Sequence, residues 1–200
     1  MAGQEVLALE HRLIKPFAEG LAAIASSNEG LTQMGYLDEA LNMAIPLRYK
    51  YSPKSMNDGY SSFHEGRAVV SYDTGKGIID KEGNEILAPN YHRILRYKNG
   101  ITGVRKGTKW AVVNHKGEMT TELSYSLITN EKEGPLRVFM KVKEGEKNVF
   151  KEGMVDLNGR EVVPPKFDSI TWTGDNLLLV HDKATGKRFY VDVMGHRFLF

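Results

Sequence analysis

Gly153-Met154-Val155-Asp156-Leu157-Asn158-Gly159-Arg160-Glu161-Val162-Val163-Pro164, running on to Phe167, decides how this chain is read. An apolar run ends in Asp, Gly stands fourth in Asp156 to Gly159, and a second apolar run follows. Asp first and Gly fourth suit a type I turn closed by a left-handed residue: the carboxylate accepts a backbone N–H, and Gly tolerates positive φ. Asp38, Asp80, Asn114 and Asp192 head equivalent pieces. In the first four copies an aromatic follows eleven residues after the turn head, as Tyr49, Tyr91, Tyr125 and Phe167. A fixed offset kept while the flanking residues vary marks one supersecondary unit copied several times.

Working outward, Gly83-Asn84-Glu85-Ile86-Leu87 runs on to Tyr91, Ile94, Tyr97, Gly100 and Val104, and Gly3-Gln4-Glu5-Val6-Leu7 runs on to His11, Ile14, Phe17, Gly20 and Ile24. The unit is about 38 residues, from Gly3 to Gly195 over five copies. Short runs rich in Val, Ile, Leu, Tyr and Phe, separated by Gly, Asp, Asn and Pro, fit strands of ordinary length. Four strands per unit follow, named a to d. Strand a ends near Phe17, Phe63, Tyr97 or Trp172, strand b follows Gly20, Gly66, Gly100, Gly134 or Asn176, strand c precedes the Asp-headed turn, and strand d follows it. Residues 33–43 carry a weak helical periodicity that the repeat register claims as strand. The expectation is one all-β domain over residues 1–200, with about five four-stranded antiparallel repeats. These either close into a five-bladed propeller whose terminal strands share a blade, or form an open stack.

These segments resemble the WG-repeat, or KWG-repeat, family of bacterial proteins. The resemblance rests on Glu65-Gly66-Arg67-Ala68-Val69-Val70 with Lys76-Gly77-Ile78-Ile79-Asp80-Lys81-Glu82-Gly83, on Lys109-Trp110-Ala111-Val112-Val113-Asn114, and on Gly153 to Gly159 with Val162-Val163-Pro164 and Phe167-Asp168. The copies are degenerate: Trp occupies its motif position once, as Trp110, there followed by Ala111, and Leu41 stands where the first turn has its Gly. The resemblance implies a β-repeat scaffold and carries over no catalytic residue.

Composition narrows the function classes. No run of about eighteen apolar residues is present, so no membrane span is expected. The absence of cysteine excludes disulfides and thiolate metal sites and suits a cytoplasmic protein, an exported protein with its signal removed being the alternative. The 27 basic and 25 acidic residues alternate in sign along the chain, which reads as a solvated surface rather than a polyanion footprint. Turn capping accounts for the spacing of Asp38, Asp80, Asp156 and Asp192, and the six histidines form no H-x-x-x-H pair, so no metal or cofactor is expected. Gly75-Lys76-Gly77 lacks the rest of a phosphate loop, and no Gly-x-Ser-x-Gly elbow occurs, so no catalytic residue is assigned. Lys141, Lys143, Lys147 and Lys151 with Phe139 and Phe150 could track nucleic acid, but interleaved Glu144, Glu146 and Glu152 turn the reading to a charged hairpin and no nucleic-acid partner.

The repeat is broken at one end only. In an antiparallel meander the a–b and c–d turns share one end and the b–c and d–a loops the other. From strand b's Gly position to strand c the count is eleven in two copies (Gly66 to Gly77, Gly100 to Ala111), but fifteen from Gly20 to Gly35, thirteen from Asn176 to Phe189 and nineteen from Gly134 to Gly153. Two eight-residue insertions, around residues 50–57 and 141–150, emerge from the b–c and d–a end. Variable loops on a rigid scaffold are where binding residues sit. The expected function is non-enzymatic binding of a protein or peptide through Tyr49, Tyr51, Met56, Tyr60, Phe139, Met140 and Phe150. The alternative is a glycan platform led by Trp110.

Overall fold

The computed structural model describes residues 11–28, 31–51, 60–130, 136–174 and 176–198. Every regular element among them is a strand, and each of the five copies builds its own antiparallel sheet. The first copy pairs β1 (His11–Ile14), β2 (Leu21–Asn28), β3 (Leu31–Asp38) and β4 (Met43–Lys50) in sequence order. The second is three-stranded, with β5 (Ala68–Ser71), β6 (Lys76–Ile79) and β7 (Glu85–Tyr91). The third has β8 (Arg93–Ile94), β9 (Ile101–Lys106) and β10 (Lys109–Asn114). The fourth has β11 (Leu127–Asn130), β12 (Leu136–Glu144), β13 (Lys147–Val155) and β14 (Glu161–Phe167). The fifth has β15 (Ser169–Gly174), β16 (Leu177–Asp182), β17 (Lys187–Asp192) and β18 (Arg197–Phe198). The a-to-d order is thus the meander expected. Strand a of the second copy and strand d of the third are reduced to irregular segments with isolated bridges, His64 to Arg67 and Trp110 to Tyr125. The fifth copy completes its own sheet, because β18 takes the d position beside β17.

Two turn types repeat, each for a reason of backbone stereochemistry. The a–b turns at Glu19-Gly20, Glu65-Gly66 and Asn99-Gly100 place two successive residues at positive φ, the type I′ geometry that matches strand twist. In the c–d turns the head carboxylate or amide accepts two turn N–H groups in the later copies. Asp156 Oδ1, for instance, takes those of Asn158 (2.9 Å) and Arg160 (2.8 Å). Asp80, Asn114 and Asp192 do the same, and Asp38 accepts Asn42 N–H at 2.8 Å. A second contact to the residue four on recurs in all five copies, through Asn42, Asn84, Glu118, Arg160 and His196. The fourth turn residue lies at φ between 64° and 90°, and only in the first copy is it not Gly but Leu41. A left-handed Leu costs about 1 kcal/mol. Leu41→Gly is therefore expected to raise stability by roughly that amount in urea denaturation; a lower midpoint would show that the Leu41 side chain contributes packing that outweighs its backbone strain.

The motif glycine of strand c has a separate purpose. Gly35, Gly77 and Gly153 lie where strand d bulges towards strand c, and the register shifts there in all three copies. A Cβ at these positions would meet the carbonyl oxygens of Ile45, Leu87 and Val163 at 2.6 Å. Pro46, Pro89 and Pro165, which cannot donate to the ladder, occupy the bulges.

The chain divides into two compact units, Met1–Tyr91 and His92–Phe200, and the repeat continues across the division. In the first, Ala23, Ala25, Met34, Tyr36, Ile45 and Tyr49 of one sheet pack on Phe63, Ala68, Val70 and Ile79 of the next copy. Tyr36 is fully buried, and its hydroxyl donates to the Ser61 carbonyl at 2.8 Å. In the second unit the β11–β14 sheet is covered on both faces. Leu136, Val138 and Val155 face Trp110, Val112 and Tyr125, while Met154, Val163 and Phe167 face Ile170, Leu178, Val180 and Phe189. Each fully buried aliphatic side chain contributes about 1.5–3 kcal/mol. Polar ties cross the latter contact: Arg137 donates to Glu152 (2.8 Å) and to the Ile170 carbonyl (2.9 Å), and Ile170 N–H donates to Glu152 (3.0 Å).

Candidate functional site

The insertion at 141–150 is not a loop. It is a continuation of β12 and β13, whose nine rungs run from Leu136–Val155 to Glu144–Lys147. Alignment on strand c matches the tip rung of the third copy, Lys106–Lys109, to Met140–Lys151. The fourth copy therefore adds four rungs, 141–144 against 147–150, and closes with the two-residue turn Gly145-Glu146. In the first copy the β2–β3 hairpin adds two rungs, Ser27–Thr32 and Asn28–Leu31, which accounts for its count of fifteen. The fifth copy keeps six rungs and puts its extra residues in the loop 183–186.

Strand periodicity gives the projecting hairpin two unlike faces. Phe139, Lys141 and Lys143 share one face with Phe150 and Glu152, and Phe139 meets Phe150 edge to face at 6.4 Å between ring centroids. Phe150 is 51% exposed. On the other face Met140 packs against the core. Lys151 there pairs with Glu144 (2.6 Å) and Asp168 (2.8 Å), tying the arm to the next copy. Hydrogen bonds to Asp168 and Glu144 hold the Lys151 ammonium above its ordinary pKa. Lys151 and the Lys183 N–H hold the Asp168 carboxyl below its own. A carboxylate lowered on folding stabilises the fold above its unfolded pKa, so this tie is complete above about pH 5 and is lost as acid reaches the lowered value.

The expected contact residues separate into buried and exposed groups. Tyr49 is fully buried, in edge-to-face contact with Tyr36 and Tyr72, its hydroxyl accepting from Arg48; it is core, because the aromatic eleven residues after the turn head points into the sheet interface. Phe167, its counterpart, is buried in the same way. Trp110, 3% exposed, is also core, with Arg93 and Arg105 guanidinium groups 6.0 and 5.8 Å from its ring, so it offers no platform to a glycan. Tyr51 and Tyr60 are half-buried in the first unit, Tyr51 against its core, and Met56 lies outside the described residues. Phe139 and Phe150 are brought together; Met140 points away from them.

Sequence reading missed a basic cleft of about 450 Å³ where the end of β14 meets the b–c loop and strand c of the fifth copy. Lys166, Lys187, Arg188 and Arg197 line it over Phe167 and Phe189. They are scattered over thirty-two positions, and only strand register brings them together. A second cleft, of about 430 Å³ between the c–d turns of the fourth and fifth copies, is lined by Asp156, Arg160, Gly195 and His196. There the Asp156 carboxylate is already satisfied by the turn.

A run of small antiparallel meanders, each copy packing on the next within its unit, defines a β-repeat protein whose variable surface lies at the b–c and d–a end. The family model described as WG containing repeat matches residues 77–110, a stretch that crosses from the earlier unit into the later, and residues 153–179 in the later unit. Each matched stretch begins at a motif glycine that strand d crowds. Among curated proteins no relative matches the chain significantly. Among the described residues no helix is long and apolar enough to cross a membrane.

Proposed function

We propose that this protein is a non-enzymatic binding module that engages a protein or peptide through the b–c and d–a end, with the β12–β13 arm as its principal contact. The observation that carries the reading is the pair Phe139 and Phe150: two aromatic rings held together on a projecting ribbon, one of them half-exposed, with no core to fill there. Strand β11 stops pairing with β12 at residue 139, the Lys141 N–H donates to the Ser126 hydroxyl at 3.0 Å, and β14 leaves β13 before residue 152, so beyond residue 141 no described strand pairs with either edge of the arm. Open edges accept an added strand, whose backbone supplies affinity while side-chain pockets supply specificity. A cysteine-free chain fits a cytoplasmic setting.

Met140 and Lys151 are cross-strand partners, so residues 141–150 can be replaced by Asn-Gly, the preferred type I′ turn. The shortened protein is expected to keep a cooperative melt, at a midpoint lowered by a few degrees at most, because the third copy already turns at this rung. Affinity capture from source cells should then lose the partner retrieved by the full-length chain. Retention of the same partner by a folded, shortened protein overturns the role of the arm.

A further inference from the structure

We propose that the cleft lined by Lys166, Lys187, Arg188 and Arg197 binds the carboxylates of an acidic peptide segment. This deepens the peptide-binding reading above and rests on it. The floor is the Phe167–Phe189 pair, edge to face at 5.4 Å between centroids. Cations cover both rings: the Arg197 guanidinium carbon lies 3.8 Å from the Phe189 centroid and the Lys166 ammonium 5.6 Å from that of Phe167. The lining has one acid, Asp182, whose carboxylate is already engaged by the Ala184 N–H at 3.0 Å. Among the described residues no carboxylate lies within ion-pair distance of the four cations, whereas Lys81, Arg137, Lys151 and Arg160 are each paired. Four exposed cations against one acid leave the lining of the cleft with an excess of positive charge.

The excess belongs to the whole unit. His92–Phe200 carries 19 Lys and Arg against 13 Asp and Glu, while Met1–Tyr91 carries 8 against 12. A near-neutral chain thus has one basic half, whose field raises the local concentration of an anionic partner and speeds its encounter. Guanidinium forks fit carboxylates in two-point contacts. Nucleic acid fits less well, because base stacking needs open ring faces and here cations occupy them.

The test is fluorescence anisotropy of a labelled octaglutamate peptide on the full chain, with octaglutamine as control. Octaglutamate should bind, with affinity falling at least fivefold between 50 and 200 mM NaCl, and octaglutamine should bind at least tenfold more weakly. Lys187→Glu with Arg188→Glu should weaken binding tenfold or more. Lys187→Gln with Arg188→Gln should weaken it less, and Lys116→Glu, in a c–d turn at the other end of the repeat, should change it less than twofold. All three substituted side chains, Lys116, Lys187 and Arg188, are exposed, and an unchanged melting midpoint checks that each variant folds. Equal binding of the two peptides, or unchanged binding by both double variants, overturns the site. Displacement of octaglutamate by tripolyphosphate or single-stranded oligothymidylate at a lower concentration than unlabelled octaglutamate itself overturns the peptide assignment. The shortened arm keeps all four cations, so octaglutamate binding by that variant separates failure of the arm from failure of the cleft.

Discussion

Trp110→Ala is expected to destabilise the His92–Phe200 unit by about 3–5 kcal/mol, the usual cost of removing a large buried aromatic. The ring is 3% exposed and packs with Leu95, Ile101, Val112 and Tyr125 on one side of a sheet interface and Ile128 and Val138 on the other. Its loss opens a cavity between two copies and removes the surface over which Arg93 and Arg105 lie. Urea denaturation followed by circular dichroism should show the later unit's transition moving to lower denaturant. At about 2–4 °C per kcal/mol for a chain of this length, the thermal shift is on the order of 10 °C. A change below about 1 kcal/mol would put the indole at the surface and restore the glycan platform as a possibility.

Gly153→Ala is expected to cost about 2–3 kcal/mol, more than its single methyl group suggests. The new Cβ would meet the Val163 carbonyl oxygen and the Pro165 nitrogen at 2.6 Å, both backbone atoms of the bulge in β14. Neither can rotate away, so β13 and β14 must separate, pulling Met154 and Val163 out of the core they share. The reciprocal change, Ala111→Gly, should shift stability by less than 1 kcal/mol. The third copy already accommodates a methyl group there: its d segment is irregular, and the Thr121 hydroxyl accepts the Val112 N–H at 2.9 Å in place of a ladder carbonyl. If Gly153→Ala and Ala111→Gly produce equal shifts, close backbone approach is not the reason for the motif glycine.

The strand order was legible because tight turns advertise themselves locally. Asp156 and Gly159 define their hairpin within four residues, and the positive φ of Gly159, with Thr120 directly beside it, follows from that definition. Asn176 at φ 62° in the position of the glycines was legible for the same reason. Which face each aromatic occupies was not. Tyr49 and Phe150 are both aromatic residues near a length change, but one lies in the repeat register, where its side chain meets the neighbouring copy, and the other on rungs added beyond it. Counting rungs outward from the c–d turn would have separated them. The basic cleft was hidden more deeply, since Lys166 and Arg197 belong to different copies and only strand register brings them beside Lys187 and Arg188.

The rung-by-rung growth of the β12–β13 arm also bears on how such a molecule can change over time. Each rung takes one residue from each strand, so additions at the tip leave the pairing below Met140–Lys151 untouched. Reach is thereby uncoupled from folding: an arm gains or loses length in steps of two residues, the fifth copy showing the alternative of two spare residues held in its loop. An unbalanced single residue within a strand would instead turn every side chain beyond it to the opposite face. Natural variants of this scaffold should accordingly differ between strands b and c by even numbers of residues, as the counts of eleven, thirteen, fifteen and nineteen already do.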